Sequence, residues 1–422
     1  MKVIQRVFAI VQILIVFNLC FTSNSQALTL SESINLAIQN STEIQIEQKK
    51  SELTGLVRAD AASMFLPNAN VGMHRGHRKT SISKLNDTLK EDTQTITVNQ
   101  PLFSGFQGVA RVKESIHKTD AAKENLKFEK NNIALSVAES YLNILRLRKT
   151  VELESQQVIN YKQVLVLAKK RLLLNDIEYT EYSDYEAKSQ TTALKAEENK
   201  MKLREYELKF ENLVKQRAEN LARPLVHSNL ESFDTMLILA QNDNPKVKSS
   251  RHTLKAAKSA VVAESGKLLP KVSLVLQRDE QKSSYYFNGL PITNRLIYLD
   301  INIPIFQSGS EYAGIAKANK QKQIANLEHK LALEEVEKAV KEEYHKFASL
   351  KESLVAFQEV FKGAIESLRL AESRFQKKDI GQMELLLKKI DVSEVEKQTI
   401  GVECDMLYSW FVMRGLVNDI VE

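Results

Sequence analysis

Between residues 310 and 375 the chain runs without a proline and with only two glycines, Gly314 and Gly363. From Leu333 onward its apolar residues recur at alternating steps of three and four: Leu333, Val336, Val340, Phe347, Leu350, Leu354, Phe357, Phe361, Ala364, Leu368, Ala371 and Phe375. Glu343 is the one interruption. This spacing lays a narrow apolar seam along a helix that packs in coiled-coil fashion, with Lys and Glu on its other faces. At the α-helical rise such a helix is roughly 100 Å long. A compact domain has no room for it, so the rest of the chain must be built around that length.

The feature occurs twice. Ile144, Leu147, Val151, Val158, Tyr161, Leu165, Ala168 and Leu172 precede Phe347, Leu350, Leu354, Phe361, Ala364, Leu368, Ala371 and Phe375 by a constant shift, since 347 − 144 = 203. The shift also holds outside the seam. Leu66-Pro67 returns as Leu269-Pro270, and Pro101-Leu102-Phe103 as Pro304-Ile305-Phe306. Val137, Glu139 and Tyr141 return as Val340, Glu342 and Tyr344; Arg171, Asp176 and Ile177 return as Arg374, Asp379 and Ile380; Ala37 matches Ala240. One shift across helices, strands and loops is the mark of an internal duplication. Residues 28–226 form the first repeat and residues 227–422 the second.

Each repeat reads as helix, strand, strand, long helix, reversal and closing helix. The first helix is expected over about residues 31–65 and, in the second repeat, 230–268. Alternation predicts strands over about 68–78, where Ala69, Val71 and Met73 share one parity, and over 93–103, where Ile96, Val98 and Leu102 do. The second repeat places strands over 271–279 and 295–306, with Ile297, Leu299, Ile301, Ile303 and Ile305 on one face. The polar segments 80–92 and 280–294 read as loops. Tyr285, Tyr286 and Phe287 in the second loop are either interfacial aromatics or loop residues packing on one another. The first long helix is expected to end near Leu174, and its closing helix to span about 179–221. In the second repeat the closing helix spans about 382–417.

Other features narrow the class. Lys2 and Arg6, an apolar core from Val7 to Leu19 and the small-residue site Ser25-Gln26-Ala27 read as a secretory signal peptide, residues 1–27, cleaved after Ala27. Its loss lowers the formal charge from +6 to +4, because Lys2 and Arg6 leave with it (6 − 2 = 4). That balance, with no basic run, does not point to nucleic acid. Charged residues make up 27% of the chain, which excludes a polytopic helical membrane protein. Cys20 lies in the leader, so Cys404 alone remains, and one thiol forms neither an internal disulfide nor a thiolate metal cluster. Cys404 and Trp410 read as core. The seven histidines are scattered along the sequence, so no metal site is expected, and no cofactor fingerprint, phosphate-cradling loop or Ser/His/Asp arrangement suggests an enzyme.

Strands of about 10 residues cross a bilayer when tilted. Four cannot close a single-chain barrel, and lipid does not tolerate open edges. Membrane strands here therefore require several copies sharing one barrel. A chain without a pore, a periplasmic or surface coiled-coil scaffold, keeps the helices but leaves the doubled strand pairs without a purpose.

The order of elements, with Leu66-Pro67 and Leu269-Pro270, Gln100-Pro101-Leu102-Phe103-Ser104-Gly105 and Ile303-Pro304-Ile305-Phe306-Gln307-Ser308-Gly309, resembles the TolC family of outer-membrane efflux proteins over the whole mature chain. The resemblance implies a mainly α fold with a small β part. Long, internally duplicated coiled-coil helices and four membrane strands per chain would form a homotrimer, with a 12-strand β-barrel in outer-membrane lipid and an α-helical tunnel through the periplasm. It further implies an outer-membrane exit duct of a tripartite efflux pump or type I secretion system, passing small toxic molecules or secreted proteins. The expected partners are a periplasmic adaptor protein and an inner-membrane ABC or proton-driven transporter.

In that family acidic residues just after the reversal ring the narrow periplasmic mouth. By position these are Glu181 and Glu384, with Asp184 following in the first repeat and Leu387 standing where a second acidic residue is common. Tyr182 and Gln382 are further candidates for gate contacts. The same glutamates, in the first turn of a helix, also serve to offset its dipole or cap free N–H groups, and Arg171 and Arg374 suit the C-terminal ends of the long helices. The family usually has glycine in the reversal; here Asn175 and Lys378 occupy it.

Overall fold

The computed structural model describes residues 27–82, 85–224, 230–283, 290–306 and 308–420. The leader up to residue 26, and Tyr285, Tyr286 and Phe287, lie outside the described residues. In order, the elements are α1 (Leu30–Asn40), α2 (Thr42–Ser63), β1 (Asn68–Ile82), β2 (Leu85–Ser104), α3 (Gln107–Leu173), α4 (Tyr179–Val214), α5 (Phe233–Asp243), α6 (Pro245–Ser265), β3 (Lys271–Ser283), β4 (Ile292–Asn302), α7 (Ser310–Gln376) and α8 (Gln382–Leu416). Both long helices, α3 and α7, run unbroken for 67 residues.

The chain folds as two compact units, one of residues 1–41, 130–233 and 341–422, the other of residues 42–129 and 234–340. In the first unit α4 runs antiparallel to α3, as shown by the contacts Tyr141–Phe210 and Glu154–Asn199. Helix α8 runs antiparallel to both long helices, meeting α3 through Gln157 and the Ile390 carbonyl and α7 through Ser409 and Glu343. The core is densest around Val137, Ala138, Tyr141 and Ile144, all 0% exposed. Burial pushes the Tyr141 phenol up to about 12. Its hydroxyl donates toward the carbonyls of Leu28 (2.8 Å) and Ala222 (2.5 Å), where two strand-like residues, Leu28 and Leu221, pair in parallel.

The α7 seam is buried or half-buried from Leu333 to Ala371, and only Phe375 at its end is exposed. Its polar interruption has a partner. The fully buried Ser409 of α8 donates to the Glu343 carboxylate at 2.8 Å.

In the second unit α3 is flanked by α2, through Thr119 and the Thr54 carbonyl, and by α6, through Arg111 and Glu264. Helix α6 also meets α7, through Ser250 and His329 and through Lys246 and Glu335. The four strands form one antiparallel sheet in the order β1-β2-β3-β4.

Four sequence expectations need correction. The strand expected over 295–306 is β4, which ends at Asn302, short of residue 306. The single first helix of each repeat is two helices. Ser41, extended at φ −72° and ψ 125°, separates α1 from α2. Asn244 caps α6, whose first residue is Pro245, and proline has no N–H to continue α5. The two breaks obey the same shift, 244 − 41 = 203. Of the expected loops 80–92 and 280–294, most of the described residues are strand: the β1–β2 ladder extends to Ile82 opposite Leu85, and β3 reaches Ser283. A ladder is held by backbone hydrogen bonds, so it persists where polar residues erase the alternation that marks a strand in sequence. Finally, α4 stops at Val214, short of residue 221, because Lys215 turns left-handed at φ 62°.

Every described residue with clearly left-handed backbone has a counterpart in the other repeat. Gly105 and Ser308 (φ 62° and 57°), Phe106 and Gly309 (63° and 76°), Asn175 and Lys378 (54° and 63°), and Lys215 and Asn418 (62° and 61°) each lie 203 apart.

Candidate functional site

Each reversal begins where a long helix is closed by a Schellman motif. The Asp176 N–H bonds the Arg171 carbonyl at 2.9 Å and the Asn175 N–H the Leu172 carbonyl at 3.0 Å. In the second repeat Asp379 and Arg374, and Lys378 and Phe375, make the same bonds at 2.9 and 3.0 Å. The motif needs one left-handed residue, commonly glycine. Asn175 and Lys378 fill that role.

Behind the turns, Ile177, Met383, Leu386 and Ile390 pack with Val164 and Ala168, so the two reversals share one apolar cluster. Tyr182, Tyr185 and Leu387 pack against it. Ile380 and Leu385 bury themselves separately against Ala371. The repeated isoleucines thus anchor both turns. Leu387 contributes packing where the family often has a carboxylate.

With that anchoring, Glu181, Asp184, Gln382 and Glu384 are all exposed, and Tyr182 is half-buried. Glu181 and Glu384 each lie in the first turn of their helix, α4 and α8. The N-cap residues are Glu178 and Gly381, and neither makes a side-chain cap. Helix α1 provides the contrast: there Glu32 reaches back to the Thr29 N–H at 2.9 Å in a complete capping box. Glu181 instead accepts from the Tyr185 hydroxyl at 3.3 Å. Burial first, and then the adjoining Glu181 carboxylate, holds the Tyr185 phenol above its ordinary range. Arg171 does more than close its helix. Its Nε donates to Asp176 at 2.6 Å, a bond that raises its pKa, and its Nη1 lies 3.8 Å from the Met383 sulfur.

The two turns differ in charge. Residues 172–184 contain Asp176, Glu178, Glu181 and Asp184 and no cation, whereas Lys377 and Lys378 stand beside Asp379 and Glu384 in residues 375–387. Sequence reading found the glutamates but missed two polar clusters. One is Glu154 with Asn199 and Lys397, on α3, α4 and α8. The other brings His117 and Asp120 of α3 to His252 of α6. Neither is complete locally: Asn199 and Lys397, and His252, are remote in the chain from Glu154 and from the His117–Asp120 pair, and become neighbours only through antiparallel packing.

The sheet completes the picture. Its register sets Val71 opposite Ile96, Val98 opposite Leu276, Leu276 opposite Ile297 and Leu274 opposite Leu299. One face is therefore apolar along these rungs, with Arg278 and Arg295 beside Ile96 at its end. Asn70, Thr97 and Gln277, and Gly72, Thr95, Asp279 and Asn294, align on the other. Both strands at the margins, β1 and β4, leave an edge open in the single chain. No described helix is long and apolar enough to cross a membrane.

The model of the outer membrane efflux protein family matches residues 33–174 and 237–416. The chain is 21% identical over 364 residues to the outer membrane efflux protein BepC of Brucella suis biovar 1 (strain 1330), covering 84% of this chain and 77% of the relative. It is also 21% identical over 362 residues to the alkaline protease secretion protein AprF of Pseudomonas aeruginosa, covering 81% and 74%. Among solved structures, the outer membrane protein VceC of Vibrio cholerae superposes with a TM-score of 0.76 at 15% identity, covering 93% of this chain and 97% of VceC.

Proposed function

The chain belongs to the outer membrane efflux protein family, and on that premise we propose that it is an outer-membrane exit duct. It serves a tripartite efflux pump or a type I secretion system, conducting small toxic molecules or secreted proteins passively out of the cell. The observation that carries this reading is the open sheet. Its apolar side chains are exposed in the single chain, Ile297 by 74% and Ile301 by 60%, and its two margins are unpaired. Lipid satisfies the apolar face and closure satisfies the edges. Three copies, each joining β4 to the β1 of the next, give twelve strands with the polar face turned to the lumen. A homotrimer of this kind needs no further strand from any partner.

The helices of the three copies then line a periplasmic tunnel that meets an adaptor protein and an inner-membrane ABC or proton-driven transporter. The relatives' names, one an efflux protein and the other a protease secretion protein, support a duct whose cargo is chosen by that inner partner. Residues 28–226 and 227–422 are two structural repeats in this reading, and the paired left-handed residues support it. Residues 1–27 are removed on export.

Glu181 and Glu384 form the gate, with Asp184, Tyr182 and Gln382 around them. Support comes from their exposure beside a shared apolar anchor, and from the lack of a side-chain cap that would otherwise occupy Glu181. A ring of carboxylates at a constriction attracts cations and repels anions.

The test is the mass and shape of the mature protein extracted from membranes in mild detergent. A trimeric, elongated particle absent from the soluble fraction is expected. A water-soluble monomer or dimer would sink the shared barrel and leave a coiled-coil scaffold without a pore.

A further inference from the structure

His117 and Asp120 lie three residues apart on α3, the spacing that puts two side chains on one helix face. Helix α6, antiparallel to α3 in the same unit, brings His252 to that face. The two imidazole rings are 6.0 Å apart between centroids, and His252 Nδ1 is 3.7 Å from Asp120 Oδ2. One donor atom from each of the three residues lies within 4.8 Å of the other two. All three side chains are half-buried.

The two rings share an unusual property. The Nδ1 atoms of both His117 and His252 are shielded from solvent and have no hydrogen-bond partner. Buried polar atoms are nearly always satisfied, because losing water without gaining a partner is costly. A cation held among the two rings and the carboxylate, whose donor atoms lie within 4.8 Å of one another, would accept a lone pair from each of the three residues.

We propose that His117, Asp120 and His252 form a binding site for a divalent late transition-metal ion, with water completing its coordination. Two imidazoles and one carboxylate suit zinc, nickel or copper(II) and disfavour calcium and magnesium, which take oxygen donors. Three protein ligands plus water is a common zinc arrangement, with bond lengths near 2.0–2.2 Å. Donors around a tetrahedral ion at those bond lengths are about 3.3 Å apart. The observed separations, 3.7 Å for His252 Nδ1 to Asp120 Oδ2 and at most 4.8 Å within the trio, are somewhat wider than that. The ion would clip α3 to α6 and so stiffen the unit that carries the sheet.

The duplication argues that the arrangement is specific to one helix pair. Shifting by 203 turns His117 into Lys320, Asp120 into Gln323 and, in the other direction, His252 into Lys49. None of these can replace a neutral imidazole or a carboxylate as a ligand at neutral pH. The cluster is therefore not a by-product of packing common to both repeats. It is also independent of the duct, and holds equally for a scaffold. Lys113 and Lys255 stand one turn from the histidines on α3 and α6 and act on the His117 charge. Their positive charges oppose a bound cation, which makes them a probe of where it sits.

The experiment uses the full mature chain without a histidine tag, stripped with a chelator and titrated with zinc against a chromophoric competitor. One zinc per chain is expected. His117→Ala and His252→Ala each weaken it at least tenfold, Asp120→Asn weakens it less, and Lys255→Gln tightens it. Far-UV circular dichroism checks that every variant keeps its helices. Should an alanine variant lose its fold, the Asp120→Asn and Lys255→Gln pair still decides, because the two are expected to move the affinity in opposite directions. Absence of a stoichiometric zinc, or an affinity that Asp120→Asn and Lys255→Gln leave unchanged, would overturn the site. In cobalt-loaded protein, a visible spectrum of octahedral water-rich type that the histidine variants share would do the same.

Discussion

Glu154 is almost wholly withdrawn from water, its side chain 3% exposed, and its partners are close: Asn199 donates at 2.9 and 3.1 Å, and Lys397 sits 3.2 Å away. Lys397 also holds Glu394 at 2.7 Å, and although burial opposes its charged form, that carboxyl stays below the usual range. Removing one partner of a buried pair leaves an uncompensated charge. Lys397→Met should therefore cost about 3 kcal/mol, read as a lowered denaturant midpoint, whereas an exposed pair such as Lys362 with Glu359 should be nearly silent. At the proposed gate the same chemistry runs in water. Glu181→Gln with Glu384→Gln should reduce cation preference in single-channel recordings without lowering stability. Unchanged selectivity would return both carboxylates to the service of the helix dipole.

At the scale of elements, the reversals show how one geometry is reached with different residues. A left-handed residue with a Cβ costs about 1–2 kcal/mol, and Asn bears that cost better than Lys because its side chain bonds locally. Lys378→Gly should stabilise the α7–α8 turn by about 0.5–1 kcal/mol once the greater unfolded-state freedom of glycine is subtracted. Asn175→Gly should gain less. Matched thermal melts test the order, and a loss in both variants would mean that the side chains contribute more than their backbone strain. Glycine is not replaceable at the first repeat's strand-to-helix junction, where Gly105 meets Gly266. A Cβ on Gly105 would meet the Gly266 carbonyl oxygen, and one on Gly266 would meet that of Gly105. The helix breaks at Ser41 and Asn244 escaped the periodic pattern because a break of one residue barely disturbs an apolar stripe. The cap and the proline that follow Asp243 were visible in sequence, yet only the geometry shows that they interrupt the helix.

For the whole molecule, the decisive property is the sidedness of the sheet. The register assigns Leu299 to the apolar face and Gln277 to the polar one. If the apolar face meets lipid, Leu299→Arg should cost about 2–4 kcal/mol near the bilayer midplane and block assembly. Gln277→Arg, turned to the lumen, should assemble normally and alter conductance. Heat-resistant oligomers on gels distinguish the two, and equal tolerance would place the sheet outside the bilayer.

The sequence alone determined the elements that repeat and the faces they bury. Hydrophobic periodicity is a local record of burial, and a constant shift of 203 between Pro101 and Pro304, or Tyr141 and Tyr344, is a record of duplication. The reversal glutamates were singled out only through the family resemblance, by their position just after each reversal. Strand length was not, because the ladder beyond Thr80 is held by backbone bonds that leave no trace in side-chain pattern. The partners of Glu154 and of His117 were decided by the tertiary structure alone. They come from helices joined by long stretches of chain, and only antiparallel packing turns residues remote in sequence into neighbours a few ångströms apart.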